Sequence, residues 1–166
     1  FIAGLIDTWL MQQPKASFII LGTGDKSIEH ALSSVAAKHA SHVGCMLTYN
    51  EAMSHRIYAG ADFLLMPSRV EPCGLNQMFA MRYGTIPIVR STGGLKDSVR
   101  DISEEGGVGI RFDNMIFDEM MHAMWRAYDM YQHVTFRHHC IRTAMSLDFS
   151  WDASAGRYKE IYQQLI

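Results

Sequence analysis

The sequence predicts an α/β fold of three layers, in which a parallel sheet is covered by helices on both faces. Short apolar runs alternate along the chain with stretches whose apolar residues have helical spacing. Several of these runs stop at a glycine turn or a proline, as buried strands commonly do. Because a helix separates each strand from the next, the strands are expected to run parallel and to be buried. At 166 residues the chain has the length of one domain, residues 1–166.

The individual elements follow from the same pattern. Five apolar runs predict strands at residues 17–21, 43–47, 61–66, 86–90 and 108–112. Helices are predicted at the start of the chain, after Asp25 or Ser27, from Asn50 to Gly60, over 74–83 and 95–100, and through 116–166 with a break near 149–151. Asp25 or Ser27 and Asn50 are suitable N-caps, and Gly84 is suited to end a helix.

Composition excludes several classes of protein. The net charge is −2 and no basic stripe dominates, so there is no electrostatic case for a nucleic-acid partner. No apolar run approaches the ~18 residues of a membrane span. The three cysteines, Cys45, Cys73 and Cys140, are odd in number and widely spaced. This spacing predicts reduced thiols in a cytosol-like compartment and no disulfide framework.

Ligands of a parallel sheet bind beyond the carboxyl ends of its strands, so a site is expected in the loops after Leu21, Leu47, Met66 and Arg90. The first loop contains Gly22-Thr23-Gly24. This segment is either a tight strand-to-helix turn or a close backbone approach to a ligand. It is not a dinucleotide fingerprint, because Ser27 occupies the third glycine position.

The loop after Met66 gives the most specific signal. Residues 67–77, Pro-Ser-Arg-Val-Glu-Pro-Cys-Gly-Leu-Asn-Gln, join a strand to a helix. Amides in the first turn of a helix have no internal partner and face outward at the positive end of the helix dipole. A diphosphate is therefore expected to accept hydrogen bonds from the amides of Cys73, Gly74, Leu75 and Asn76, with Gly74 allowing close approach.

Glu71 lies on the same loop and has two interpretations. Its carboxylate could accept hydrogen bonds from sugar hydroxyls and oppose positive charge at an anomeric carbon. Alternatively, it is an acidic residue that merely suits a helix N-terminus. A second glycine turn, Thr92-Gly93-Gly94-Leu95, follows the neighbouring strand. Two such turns beside Glu71 favour a cleft lined by outward-facing amides.

Several segments together carry a resemblance to a known family. They are residues 67–77, 82–90 (Arg-Tyr-Gly-Thr-Ile-Pro-Ile-Val-Arg), 92–95, 21–25, 49–51, 54–57 and 148–151. Over essentially its whole length the chain resembles the bacterial glycogen synthase and plant starch synthase family. The Glu-Pro-Cys-Gly-Leu block at 71–75 is highly specific to that family, whereas the glycine turns alone are not.

The resemblance implies a GT-B fold, in which two Rossmann-like domains face each other across a cleft. This chain is similar to most of the C-terminal domain, without its first strand and without the N-terminal domain, toward which helices of 116–166 are expected to pack. The implied activity is transfer of glucose from ADP-glucose to the non-reducing end of an α-1,4-glucan with retention of configuration. The implied partners are ADP-glucose or UDP-glucose, an α-glucan and the N-terminal domain. The implied location is the cytoplasm, or the plastid if the source is a plant or alga.

The resemblance also assigns roles position by position. Tyr49 matches the tyrosine that stacks on the nucleotide base, and Glu71 matches the essential glutamate beside the donor glucose. Cys73, Gly74, Leu75 and Asn76 match the loop whose amides meet phosphate and sugar. Thr92 and Gly93 match the second turn, which Gly94 completes.

The chain also departs from the wider pattern. Phe79 stands where many related glycosyltransferases have a second glutamate, which agrees with the glycogen synthase branch. The family's Arg and Lys that neutralise the diphosphate lie upstream of this chain, so the isolated chain is expected to be inactive. The alternatives are a non-catalytic nucleotide-binding module and a related GT-B transferase with another acceptor, such as sucrose or a lipid.

No metal site and no cofactor are predicted. The histidine pairs His39 with His42 and His138 with His139 are not joined by a cysteine or carboxylate that would complete a ligand set.

Overall fold

The computed structural model describes residues 1–165, which form five strands and eight helices. The strands are β1 (Phe18–Leu21), β2 (Val43–Met46), β3 (Phe63–Met66), β4 (Ile86–Arg90) and β5 (Ile110–Phe112). The helices are α1 (Ile2–Gln12), α2 (Lys26–Lys38), α3 (Glu51–Gly60), α4 (Asn76–Tyr83), α5 (Gly93–Ser98), α6 (Phe117–Gln132), α7 (Val134–Ser146) and α8 (Trp151–Gln164). Strands and helices alternate as far as β5, which confirms the predicted α/β class.

All five strands run parallel, but their hydrogen bonds divide them into two sheets. One sheet is β1–β2 and the other has the order β3–β4–β5. Phe18 of β1 and Phe63 of β3 nevertheless pack against one core cluster, which includes Leu5, Trp9 and Ile110. The predicted parallel sheet is thus present as two sheets that share a core.

Capping residues fix where the helices begin and end, and so they fix the bounds of the loops that follow the strands. The Asp25 carboxylate accepts hydrogen bonds from the amides of Ser27 and Ile28, so Asp25 is the cap of α2 and Ser27 is not. Asn50 caps α3 in the same way. At the other end of α4, Gly84 has a φ of 86° and ends the helix in the left-handed conformation, as predicted.

The C-terminal helices differ in how they pack. The methionines of α6 face the core, where Met120, Met121, Met124 and Met130 are buried. Helix α7 buries Cys140 and Ala144 in a second core cluster, which also contains Met130. Helix α8 has no buried residue among 151–164, and Trp151 is 89% exposed. Among residues 116–165, the most exposed large apolar side chains therefore lie on α8 or directly after it.

A buried carboxylate, Asp101, holds the start of the β5 segment in place. It accepts hydrogen bonds from the Arg126 guanidinium, from the Arg111 amide, and from the amide and hydroxyl of Ser103. Burial raises the pKa of Asp101, but these hydrogen bonds outweigh burial and lower that pKa to about 2.

This pKa predicts a specific loss of stability in acid. Because the folded-state pKa lies below the usual 3.8, the contribution of Asp101 is complete above about pH 4 and is lost as the pH falls toward 2. It amounts to about 2 kcal/mol by the usual conversion of a pKa shift. Urea unfolding between pH 7 and pH 2.5 should show a smaller acid loss for Asp101→Asn than for wild type or for Asp62→Asn, which changes an exposed carboxylate. Equal acid losses in all three proteins would contradict this account.

Candidate functional site

The carboxyl ends of β3 and β4 bring two backbone segments into direct contact. They are the loop at residues 67–75, after β3, and the turn at residues 91–94, after β4. The Gly94 amide donates a 3.0 Å hydrogen bond to the carbonyl oxygen of Glu71. A Cβ on Gly93 would collide with that same carbonyl, and a Cβ on Gly94 would collide with the backbone of Cys73. The two segments can therefore pack this closely only with glycine at both positions.

This contact changes the interpretation of the second glycine turn. The amide of Gly94 is already bonded within the protein, so Gly94 contributes close packing here and not a free donor. Gly93 has a φ of 45°, a left-handed conformation that favours glycine, and it is exposed. Its amide makes no hydrogen bond to any of the described residues and can face a ligand together with the half-buried Thr92.

The amides before α4 are available as the sequence predicts. Within residues 1–165, the N–H groups of Cys73, Gly74, Leu75 and Asn76 have no hydrogen-bond acceptor. Cys73, Leu75 and Asn76 are exposed, and Gly74 has a φ of 72°. The helix begins at Asn76 and not at the predicted residue 74, so these amides belong to the segment that enters the helix. They can donate to an anion at the positive end of the helix dipole.

The carboxylate of Glu71 is half-buried beside this row of amides. Its only hydrogen bond in the part of the chain that the structure describes is a long one, 3.4 Å from the hydroxyl of Ser68. The loop that carries it is held by Arg90, whose guanidinium donates to the carbonyls of Ser68, Arg69 and Asp113 at 3.4, 2.8 and 3.0 Å. A carboxylate on a fixed loop with few partners is well placed to contact a ligand.

A cleft of about 270 Å³ extends from α4 toward the carboxyl ends of β1 and β2. Its lining includes Gly22, Tyr49, His55, Asn76 and Phe79. The ring of Tyr49 is 82% exposed, so its faces are open for stacking. Because Asn76 lines the cleft and also belongs to the row of unpaired amides, one elongated ligand can reach both regions.

Some lining residues were not singled out from the sequence as site residues. Thr48, Ser54 and Tyr58 line the same cleft. Thr48 follows β2 and Ser54 lies near the start of α3, and these positions are the signal that could have found them, whereas Tyr58 lies in the last turn of α3. His55 also lines the cleft, and its Nδ1 lies 3.2 Å from the Tyr83 hydroxyl, a contact within the protein.

The predicted residues thus lie along one edge of the fold in two groups. Glu71 and Cys73 contact the Gly93-Gly94 turn, whereas Tyr49 lies in the cleft, and Asn76 connects the groups. A larger cleft, about 440 Å³ and lined mainly by α6 and the start of α7, contains none of these residues.

Among residues 1–165, no three His, Cys, Asp or Glu side chains are grouped so that they could hold a metal ion. None of the helices described is long and apolar enough to cross a bilayer.

Known proteins match this chain in both sequence and structure. The family model described as glycosyl transferases group 1 matches residues 4–129. Over 158 residues, 94% of this chain and 33% of the relative, the sequence is 44% identical to a glycogen synthase of Geobacillus thermodenitrificans. The chain therefore spans about a third of the length of the curated relatives it matches.

Two solved structures have a fold similar to that of this chain. The catalytic domain of starch synthase IV from Arabidopsis thaliana, bound to ADP and acarbose, matches with a TM-score of 0.81 and 36% identity, covering 97% of this chain and 35% of that one. Sucrose-phosphate synthase from Thermosynechococcus elongatus, at 21% identity and a TM-score of 0.67, shares the fold over 98% of this chain and 42% of that one. The predicted Rossmann-like fold of the GT-B type and the resemblance to glycogen and starch synthases are confirmed. This chain belongs to the group 1 glycosyl transferases.

Proposed function

We propose that this chain is the nucleotide-sugar-binding C-terminal domain of a glucosyltransferase that extends an α-1,4-glucan with glucose from ADP-glucose. The observation that carries the proposal is the half-buried carboxylate of Glu71 beside the unpaired amides of Cys73 to Asn76. The similarity to a glycogen synthase supports a glucan acceptor. The similarity to a starch synthase bound to ADP and acarbose supports an adenine nucleotide and a glucan-like ligand.

The donor would lie along the edge that joins the two groups of site residues. Its base stacks on the exposed ring of Tyr49, and its diphosphate accepts hydrogen bonds from the amides that precede α4. The Thr92-Gly93 segment closes the other side of the diphosphate and sugar. The glucose then lies beside the carboxylate of Glu71, whose oxygens have capacity for hydroxyl donors.

The chemistry follows from these positions. Transfer breaks the bond between C1 of glucose and the diphosphate oxygen, and it forms a bond from C1 to the 4-hydroxyl oxygen of the glucan, whose proton is released. The leaving diphosphate gains negative charge, which the helix-terminal amides stabilise. The glucose ring gains positive charge, which the carboxylate of Glu71 stabilises. With retention, the new bond forms on the face of the sugar that the diphosphate leaves.

A complete enzyme requires more than this domain. The chain spans about a third of the relatives it matches, so the acceptor and the remaining donor contacts are assigned to the rest of the protein. Helix α8 supports a contact with that part, because Tyr158, Ile161 and Tyr162 are more than half exposed.

We propose that the enzyme is located where its cysteines stay reduced, which is the cytoplasm or, in a plant or alga, the plastid.

Labelled donors test the proposed function in the full-length protein. We expect transfer of glucose from ADP-glucose to maltoheptaose, at a higher rate than from UDP-glucose. Binding of ADP without transfer from either donor would favour a non-catalytic nucleotide-binding module. Transfer to sucrose or a lipid in place of the glucan would identify the related transferase with another acceptor.

Tyr49→Ala tests the position of the base. Base–aromatic stacking contributes about 1–3 kcal/mol, so the variant should bind ADP at least ~5-fold more weakly. Because the side chain is 82% exposed, the melting temperature should not change. Calorimetry with ADP measures the effect, and Tyr49→Phe is the matched control that keeps the ring. Wild-type affinity in Tyr49→Ala would remove Tyr49 from the site.

A further inference from the structure

Gln77, in the first turn of α4, is a fully buried polar residue at the site, with 0% exposure. A buried amide destabilises the fold unless it is hydrogen-bonded. Its Nε2 lies 3.3 Å from the carbonyl oxygen of Cys73, 3.0 Å from that of Gly74 and 3.0 Å from the hydroxyl of Ser98. Its Oε1 has no donor among the described residues. The Nε2 group therefore makes all the hydrogen bonds of this side chain.

The hydrogen bonds of Gln77 continue into the second loop. The hydroxyl of Ser98 donates to the carbonyl of Gly94 at 2.5 Å. The amide of Gly94 donates to the carbonyl of Glu71 at 3.0 Å. A continuous path thus runs from Gln77 through Ser98 and Gly94 back to Glu71. It ties the entry of α4 to α5 and to the loop that carries the Glu71 carboxylate.

These bonds also set the direction of the unpaired amides. In a trans peptide, the carbonyl of one residue and the N–H of the next lie in one plane and point in opposite directions. By drawing the carbonyl of Cys73 inward, Gln77 turns the N–H of Gly74 outward. By drawing the carbonyl of Gly74 inward, it turns the N–H of Leu75 outward.

We propose that Gln77 is a positioning residue that aims the amides of Gly74 and Leu75 at the diphosphate of the donor. The inference rests on the proposed function and adds the group that prepares the site before the ligand binds. Ser98 extends the arrangement to α5. Gly74 belongs to it as well, because a Cβ there would lie 2.6 Å from Oε1 of Gln77. The side chain amide therefore packs directly beneath the loop that it orients.

Gln77→Met in the full-length protein separates positioning from packing. Methionine has a similar length and volume, and it removes the Nε2 contacts while Oε1 loses no partner. A displaced amide row should weaken ADP binding and lower kcat/KM for the donor by about 10- to 100-fold, since small misplacements have effects of this size. KM for maltoheptaose should be unchanged. Ser98→Ala should shift the same donor quantities in the same direction by a smaller factor.

Thr85→Val is the matched structural control. Thr85 is buried and its hydroxyl donates to the carbonyls of Tyr58 and Ala61, away from the amide row. This variant should lower the melting temperature and leave ADP affinity at the wild-type value. If Gln77→Met lowers the melting temperature but also keeps wild-type ADP affinity and kcat/KM, the inference is overturned.

Two further outcomes are distinguishable. If Gln77→Met shows no cooperative melting and is therefore not folded, the Ser98→Ala variant becomes the test. Wild-type donor kinetics in a folded Ser98→Ala protein would overturn the inference. A wild-type protein that neither binds ADP nor transfers glucose would instead overturn the proposed function.

Discussion

Glu71→Gln is expected to lower kcat for glucose transfer by about 10²–10³-fold, the range for loss of one preorganised electrostatic group. Glutamine has nearly the same shape, but its neutral amide cannot oppose positive charge that develops at C1 of the donor. The wild-type carboxylate makes one long hydrogen bond, 3.4 Å from the Ser68 hydroxyl. The substitution should therefore leave the melting temperature and ADP affinity close to those of wild type.

Initial rates at saturating ADP-glucose and maltoheptaose measure this effect in the full-length protein. The matched control is Asp97→Asn, which neutralises an exposed carboxylate on α5. That control should retain the wild-type rate. If the rate of Glu71→Gln is within a few-fold of the wild-type rate, Glu71 has no catalytic role and is only an acidic residue that suits a helix N-terminus.

Gly94→Ala is the second substitution with a large expected effect. The added Cβ would collide with the carbonyl oxygen, carbonyl carbon and Cα of Cys73. Because backbone atoms block it, the two loops must separate and the hydrogen bond from the Gly94 amide to Glu71 must break. Overpacking of this kind destabilises folds by about 1–3 kcal/mol. The displaced amide row should also lower kcat/KM for the donor by about 10²-fold or more.

Thermal melting and donor kinetics, measured together, test the Gly94 prediction. Gly60→Ala is the control, because no atom lies within 4 Å of a Cβ at that position and its φ is not left-handed. The control should have the melting temperature and the donor kinetics of the wild-type protein. A Gly94→Ala protein with both properties unchanged would show that the contact between the loops does not define the site.

Much of the fold could be predicted because its signals are local. Apolar periodicity places each strand within two residues of its observed ends, and the cap of α3 and the end of α4 follow from Asn50 and Gly84. The break between α6 and α7 at His133 was not predicted, because neither glycine nor proline marks it. The division into two sheets was not predicted either, since strand pairing joins residues far apart in sequence.

The site was predictable to the extent that it depends on position after a strand. The exposed Tyr49 and the unpaired amides of Cys73 to Asn76 lie where the strand ends place them. The packing role of Gly94 and the network of Gln77 depend on contact between two loops about 20 residues apart, which the sequence pattern does not encode. The roles of Tyr49 and Glu71 toward a ligand remain predictions.

A crystal structure of the full-length protein with ADP-glucose is the most direct test of the central claim. We expect diphosphate oxygens at about 2.7–3.2 Å from the amide nitrogens of Gly74 and Leu75. We also expect the glucose beside Glu71 and the base against the ring of Tyr49. A diphosphate bound away from the N-terminal end of α4, with those amides facing solvent and Glu71 far from the sugar, would contradict it.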